Sequence, residues 1–326
     1  MLKKPDPKKP EDEITQKLRA AARKRRPMTW QGLLVLLTLI LVPAGLLTWL
    51  VLHRRPDPPR LDVVAFDQLG LAGQEVKLGA FLEPLDIEPA KVDLSGYQVF
   101  FEQNVLPGAA KAGNTKETDS LREGMASVSW SFPEGGKNAF VVRIPGDKQR
   151  RGAMDRGQVF LWPKDTPLLL VDVQSTLSSA KADDWKKKNP LEIKPVAEAA
   201  KALQTARQKK FQVVYLALAA DRPLAYRKVR GWVENQINGK NPFPAGPVLG
   251  RTTYVADGES AARQEILRGL KESFSGPLLA VVGQGEAAAV CRGIGVETIL
   301  FGIDDAPVDV LRVKLWSEVP DKLRKK

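Results

Sequence analysis

Cysteine and histidine are almost absent from this 326-residue chain, which contains one of each, Cys291 and His53. One cysteine cannot form an internal disulfide or a cysteine-based zinc cage. His53 lies beside a long apolar run, far in sequence from every other candidate residue, so a Ser-His-Asp triad is excluded. Cys291 lies in an alanine-rich stretch and is predicted to be a small buried side chain. The sequence therefore implies neither zinc nor haem.

Most of the net positive charge lies in the first 60 residues. The formal net charge is +12, and residues 1–60 hold 13 lysines and arginines against 5 acidic residues, which leaves +4 for the other 266 residues. A nucleic-acid-binding protein is expected to carry its basic patch on the folded part, interleaved with aromatic residues. No such stretch occurs in the sequence, so nucleic acid is not predicted as a partner.

One long segment, residues 32–52, contains no charged residue. About twenty apolar residues, at about 1.5 Å each, cross a hydrocarbon core of about 30 Å. Trp30 and Trp49 lie near its ends, where indole rings favour the membrane interface, and Pro43 is tolerated in a membrane helix. The segment is longer than the apolar part of a typical signal peptide and is followed by His53 and two arginines instead of a small-residue cleavage site. We therefore predict an uncleaved transmembrane helix and a lipid bilayer as its partner.

The residues that flank this helix predict its orientation. Six basic residues lie at positions 17–26, whereas three lie at positions 53–60, so the positive-inside rule places the N-terminus in the cytoplasm. Residues 1–31 are then a basic cytoplasmic tail, and residues 53–60 are a proline-rich stalk. The C-terminal part is predicted to be exoplasmic or periplasmic. The inverted orientation stays open, because the second flank is also positive.

Residues 61–164 show alternating apolar and polar residues, interrupted by glycine, proline and asparagine, which is typical of strands. The predicted strands lie at residues 63–69, 76–82, 97–102, 128–132, 140–144 and 159–162. Six or seven strands over about 100 residues suit a two-sheet antiparallel sandwich. The stretch 123–133 resembles the late strand of bacterial immunoglobulin-like surface domains, which implies an all-β immunoglobulin-like sandwich. Trp130 is predicted to anchor its core.

Residues 165–326 show a different rhythm, in which strands alternate with helices, as in a parallel sheet wrapped by helices. Strands are predicted at residues 168–172, 211–216, 278–282 and 298–301. Helices are predicted at residues 196–209, 224–237, 259–274 and 286–292. The charged segment 181–190 is predicted to be a solvated loop, with Trp185 packed onto the edge of the domain. This pattern predicts a doubly wound, Rossmann-like α/β domain, in which ligands bind at the carboxyl ends of the strands.

The end of the first of these strands carries a family resemblance. The apolar strand is followed by Asp172, Gln174 and Thr176 at alternate positions. This order resembles the first motif of the haloacid-dehalogenase-like (HAD) phosphatase superfamily, which is an apolar strand followed by Asp, any residue, Asp, any residue and Thr. Residues 243–248 resemble a loop of its lipin-like phosphatidate-phosphatase branch. The resemblance spans residues 166–303 and implies a HAD fold.

The resemblance implies roles for the residues of this motif. HAD phosphatases attack phosphorus with the first Asp, protonate the leaving group with the second, and hold Mg²⁺ with further carboxylates. Asp172 matches the nucleophile, but Gln174 replaces the acid/base Asp and cannot shuttle a proton at neutral pH. Ala217 replaces the phosphate-binding Ser or Thr of the second motif. Thr176 matches a phosphate-binding position, and its hydroxyl also suits a cap of the following turn.

The resemblance also assigns the remaining positions. Arg263 falls near the phosphate-neutralising Lys of the superfamily, and Lys271 is a second candidate for that role. Gln284 takes the place of a metal-binding Asp. Asp172 and Glu286 are the carboxylates left for a metal ion.

Two functional hypotheses follow. The three replacements remove proton transfer, phosphate positioning and part of the metal site together. We therefore predict a membrane-anchored, non-catalytic HAD-like protein that serves binding or scaffolding at the cell envelope without a cofactor. The alternative is a divergent Mg²⁺-dependent phosphohydrolase acting on a phosphomonoester such as a lipid phosphate, with Asp172 as nucleophile. The sequence does not identify a protein partner or a phosphorylated ligand.

Overall fold

A computed structural model describes residues 15, 17, 30, 38–43, 60–85, 93–103, 114–132, 135–146, 152–251, 258–303 and 310–323. The chain divides into two compact units, Met1–Asp57 and Pro58–Lys326. The transmembrane helix predicted over residues 32–52 lies outside the described residues except for 38–43, which are helical. No helix within the described ranges has the length and apolar character that a bilayer crossing requires. The predicted tail and stalk also lie outside them, apart from residues 15, 17, 30 and 60.

The first half of the second unit is a β-sandwich. Its strands in the described residues are β1 (Leu61–Ala65), β2 (Gln68–Leu71), β3 (Glu75–Pro84), β4 (Gln98–Gln103), β5 (Thr115–Asp119), β6 (Met125–Ser131), β7 (Gly136–Ile144) and β8 (Ala153–Trp162). One sheet has the order β1-β3-β6 and the other has the order β2-β8-β7-β4-β5. All pairs are antiparallel except β2 with β8. Trp130 is 3% exposed in the core of the sandwich, as predicted.

The run at residues 63–69 is two strands that belong to different sheets, so the prediction of one strand there is wrong. The strand is interrupted at Asp67, whose carboxylate is buried in the protein interior. Its Oδ1 accepts a hydrogen bond from the Gln158 backbone N–H at 3.0 Å, and its Oδ2 accepts one from the Val248 N–H at 3.1 Å. These donors lie far along the chain, so local alternation of apolar residues does not reveal the break.

The second half of the unit is an α/β fold. Its strands are β9 (Leu168–Asp172), β10 (Gln212–Leu216), β11 (Val248–Leu249), β12 (Leu278–Val282), β13 (Glu297–Phe301) and β14 (Leu311–Val313). Its α-helices in the described residues are α1 (Ala182–Lys187), α2 (Ala199–Gln208), α3 (Pro223–Ile237), α4 (Glu259–Ser273), α5 (Gly285–Gly293) and α6 (Val319–Lys322). The sheet is parallel throughout, in the order β11-β10-β9-β12-β13-β14. The prediction of a parallel sheet wrapped by helices is therefore confirmed.

The central strand β9 is buried on both faces, as in other parallel sheets covered by helices. Leu169 and Val171 pack in the apolar cluster that includes α2 and α3. Leu168 and Leu170 pack in the cluster that includes α4 and α5. Asp172 therefore stands at the end of a strand that is fixed from both sides.

Helix α3 attaches the α/β fold to the sandwich through buried polar contacts. The Tyr226 hydroxyl accepts a hydrogen bond from the Asp67 N–H at 3.0 Å and donates one to the Val248 carbonyl at 2.7 Å. Arg230 pairs with Asp155 of β8 at 2.8 Å. These contacts join the sandwich and the α/β fold as parts of one compact unit.

Asp67→Asn is expected to change how stability depends on pH. Burial raises the pKa of Asp67 to about 6, against the opposing effects of Arg230 and two backbone amides. The folded state thus binds this proton more tightly than the unfolded chain, so the stabilisation is present below about pH 4 and is lost as pH rises through about 6. We expect the free energy of unfolding of the wild type, relative to the variant, to fall by roughly 2–3 kcal/mol between pH 4 and pH 7.

Urea denaturation of residues 58–326 at several pH values measures this difference. The control is Asp183→Asn, which removes an exposed carboxylate of α1. Parallel pH profiles for the wild type and Asp67→Asn would show that this carboxylate does not bind its proton more tightly in the folded state.

Candidate functional site at the carboxyl edge of the sheet

Asp172 ends β9 and is followed at once by a π-helical turn, Val173–Leu177. π-Helical turns are rare in proteins, and those that do occur are often found at functional sites. Thr176 is buried in the turn, and its hydroxyl donates a hydrogen bond to the Asp172 carbonyl at 2.5 Å. Gly283 packs so closely against the turn that a Cβ atom there would lie 2.5 Å from the Ser175 carbonyl oxygen. These contacts fix the position of the Asp172 carboxylate.

Both carboxylate oxygens of Asp172 accept hydrogen bonds from Arg263 of α4. The Nη1–Oδ1 distance is 2.7 Å and the Nη2–Oδ2 distance is 3.0 Å. Nη2 also donates to Glu259 Oε1 at 2.7 Å. The side chains of Arg263 and Asp172 are only 1% and 7% exposed. Paired guanidinium and carboxylate groups with this two-pronged geometry form strong charge-assisted hydrogen bonds, so the charge of Asp172 is balanced within the protein.

The two charges of this pair depend on each other. Burial raises the pKa of Asp172, and the Arg263 guanidinium opposes that rise. Burial alone would lower the pKa of Arg263, but the Asp172 carboxylate and its hydrogen bonds raise it above its ordinary value. Arg263 therefore stays charged at neutral pH, and removal of either partner would leave the other buried without a counterion.

A cavity of about 770 Å³ opens beside the ion pair. Its lining includes Leu216 and Leu224 on the apolar side, and Asp172, Gln174 and Gln284 on the polar side. Gln174 Oε1 is buried and has no hydrogen-bond partner among the described residues. A buried oxygen of this kind favours a hydrogen-bond donor from water or from a bound molecule.

One wall of the cavity comes from the segment 181–190, which is not the predicted solvated loop. It contains helix α1 instead of a loop, whereas Trp185 of this helix is 5% exposed and packs against the domain, as predicted. The Trp185 ring packs edge-on against Trp232 of α3 at 5.6 Å between ring centroids. Lys186 and Lys228 also line the cavity and add positive charge to it.

The predicted phosphate-binding positions offer no free hydroxyl group. Ala217 is fully buried just after β10, and its N–H donates to the Leu249 carbonyl at 2.9 Å. Thr176 uses its hydroxyl for the turn described above. Of the residues named from the resemblance, the structure brings Asp172, Gln174, Arg263 and Gln284 together.

Lys271 and Glu286 point to other partners. The Lys271 ammonium group donates to the Ile294 carbonyl at 2.7 Å, and Lys271 lies about 18 Å along α4 from Glu259, at about 1.5 Å per residue. Glu286 Oε1 accepts a hydrogen bond from the Ser260 hydroxyl at 2.7 Å. Glu286 lines a separate cavity of about 230 Å³ with Glu259 and Arg263.

Magnesium does not fit the side chains at this edge. Mg²⁺ requires oxygen ligands in near-octahedral geometry. Both Asp172 oxygens accept hydrogen bonds from a guanidinium group, and Gln284 offers a neutral amide at the predicted metal position. In the part of the chain that the structure describes, no group of three or more His, Cys, Asp or Glu side chains could hold a metal ion. The residues at this edge therefore do not suit the ion that the family resemblance implies.

Glu259 is a residue of this site that the sequence analysis does not single out. It lies four residues before Arg263, and oppositely charged residues at this spacing interact on one face of a helix. That spacing is the only local signal for it in the sequence. The contact of Arg263 with Asp172 joins residues 91 positions apart and has no local signal.

No protein-family model and no curated protein sequence matches this chain. Similar solved structures include D,D-heptose 1,7-bisphosphate phosphatase from B. bronchiseptica, with magnesium and phosphate, at 12% identity and a TM-score of 0.38. The same enzyme from Burkholderia thailandensis has 7% identity and a TM-score of 0.36. Each comparison covers 48% of this chain and 97% of the other. Fibronectin(III)-like modules of Clostridium thermocellum CbhA have 13% identity and a TM-score of 0.21, over 32% of this chain and 48% of theirs.

Arg263→Met is expected to lower the free energy of unfolding by about 3–5 kcal/mol, because it leaves the Asp172 carboxylate buried without its counterion. Adding Asp172→Asn should recover a large part of this loss, since the double variant has no buried unpaired charge. Chemical denaturation of the two single variants and the double variant gives the coupling energy. The control is Arg268→Met on the exposed face of α4. Additive losses in the double variant would contradict a coupled ion pair.

Proposed function

We propose that this chain is a membrane-anchored, non-catalytic HAD-like protein that serves binding or scaffolding at the cell envelope. The observation that carries the proposal is the buried pair of Asp172 and Arg263. The carboxylate that the family resemblance assigns as nucleophile is bound on both oxygens by a side chain of the same protein.

The chemistry of phosphoryl transfer argues against catalysis at this edge. A nucleophilic carboxylate must place a free oxygen against phosphorus, and a neighbouring acid must protonate the leaving group. Each Asp172 oxygen already accepts a hydrogen bond from the Arg263 guanidinium, which weakens it as a nucleophile. Gln174 cannot supply a proton at neutral pH, because an amide side chain does not titrate there.

The cavity supports a binding role. It has an apolar side, a buried oxygen of Gln174 without a partner among the described residues, and two lysines, Lys186 and Lys228. Cavities of this size that combine apolar walls with a few polar groups are typical ligand sites. Binding does not require the Asp172 oxygens to be free.

The anchor rests on the charge-free run at residues 32–52 and its basic flank. Within it, Leu39, Ile40, Leu41 and Val42 belong to a helical stretch and are 60–66% exposed. Exposed apolar side chains on consecutive helical positions favour contact with lipid. The proposed topology has a cytoplasmic tail and an exoplasmic C-terminal unit.

The second candidate is a divergent phosphohydrolase that uses Asp172 as nucleophile on a phosphomonoester such as a lipid phosphate. The observation that favours it is the position of Asp172 on the wall of the cavity. It requires Arg263 to leave Asp172 when substrate binds, and it requires a proton donor other than Gln174.

A phosphatase assay separates the two candidates. We expect the full-length protein in detergent to show no turnover above an Asp172→Asn control on a panel of phosphomonoesters that includes phosphatidate, with Mg²⁺. Circular dichroism confirms that both samples are folded. Turnover by the wild type that disappears in the control would establish the hydrolase.

Cysteine labelling tests the topology. Cys291 is fully buried and burial raises the pKa of its thiol to about 11, so the native chain should react little with a membrane-impermeant maleimide. Leu191 is 74% exposed, and Leu191→Cys should be labelled from outside intact spheroplasts. Ala21→Cys in the tail should be labelled only after lysis. The opposite pattern would establish the inverted orientation.

A further inference from the structure

Two carboxylates converge on one guanidinium group at the carboxyl edge. Asp172 Oδ2 and Glu259 Oε1 bond the same nitrogen, Nη2 of Arg263, at 3.0 Å and 2.7 Å. The two oxygens therefore lie within about 6 Å of each other, a separation at which like charges repel, with the Asp172 side chain 7% exposed and the Glu259 side chain 26% exposed. Arg263 places a positive charge between the two carboxylates.

Lys186 and Lys228 also line the cavity, but Arg263 is the cation that bonds both carboxylates. Gln174 and Gln284 line the same cavity as Asp172 and Glu259, and both are neutral amides. Arg263 is 1% exposed, so solvent does not compete for its charge. The guanidinium also joins two elements, because Asp172 ends β9 and Glu259 starts α4.

We propose that Arg263 is a built-in cation that does at this edge what a divalent metal ion would otherwise do. Its single positive charge offsets part of the negative charge of two converging carboxylates, and its side chain ties the end of β9 to the start of α4. This inference rests on the proposed function, since a guanidinium that had to release Asp172 in each catalytic cycle would not be a fixed part of the site. It implies that the wild-type site is indifferent to divalent cations and that removal of Arg263 creates a site for them.

Thermal unfolding of the full-length protein in detergent tests the proposal, with EDTA or with about 5 mM Mg²⁺, Ca²⁺ or Mn²⁺. The wild-type Tm should be the same in all buffers. Arg263→Ala should unfold roughly 10 °C lower in EDTA and should recover at least half of that difference with one of the divalent ions. Titration calorimetry should detect binding of that ion to Arg263→Ala and none to the wild type.

Two further variants make the result specific. Arg263→Ala combined with Asp172→Asn should lose the response to divalent ions, because one of the two carboxylates is gone. Arg268→Ala, on the exposed face of the same helix, should behave as the wild type. If Arg263→Ala does not fold in EDTA, the yield of folded protein after refolding with and without the divalent ion gives the same readout.

Three outcomes would overturn the proposal. The first is a wild-type Tm that rises with a divalent ion or falls with EDTA. The second is an Arg263→Ala protein that responds to none of the three ions, including one that folds in no buffer. The third is rescue of Arg263→Ala by methylguanidinium alone, which would show that the site needs the shape of the guanidinium group. Phosphatase turnover by the wild type is a separate result and would refute the proposed function instead.

Discussion

The ion pair between Asp172 and Arg263 determines the chemistry of the whole carboxyl edge. In this pair, Arg263 donates a hydrogen bond to each carboxylate oxygen of Asp172, which stands at the end of the central strand. The pair also places the Arg263 guanidinium near the position where the family resemblance implies a phosphate-neutralising Lys. The cavity beside it therefore borders a balanced pair of charges, which suits recognition of a ligand better than attack on one.

The fold holds this pair in place from several directions. Strand β9 is packed on both faces, the π-helical turn fixes the Asp172 carbonyl, and α4 carries Arg263 on its buried face. Helix α3 lines the cavity on one side and is joined to the sandwich through Tyr226 and Arg230. The sandwich thus supports a cavity wall as part of the same compact unit.

The sequence predicts the helices and strands whose signal lies in neighbouring residues. It does not predict contacts between residues that are far apart along the chain. Alternation and helical periodicity identify β9, β10, β12 and the long helices, because burial repeats along each of them. Strand β5 is missed because Thr115–Asp119 is polar and charged and gains its structure by pairing at a sheet edge. The residues Asp172 and Arg263 are both named from the resemblance, but their contact depends on tertiary packing. Lys271 is named for the same role and faces Ile294 instead, because it lies two turns further along α4.

Beryllium trifluoride binding measures most directly whether Asp172 is available as a nucleophile. With Mg²⁺, this anion forms a stable mimic of an acyl phosphate on a free carboxylate nucleophile, and ¹⁹F NMR detects the bound form. Because Arg263 holds both oxygens of Asp172, we expect no bound signal for the wild-type protein. A bound signal that disappears in Asp172→Asn would contradict this expectation, because it would show that Arg263 releases the carboxylate to an incoming phosphoryl group.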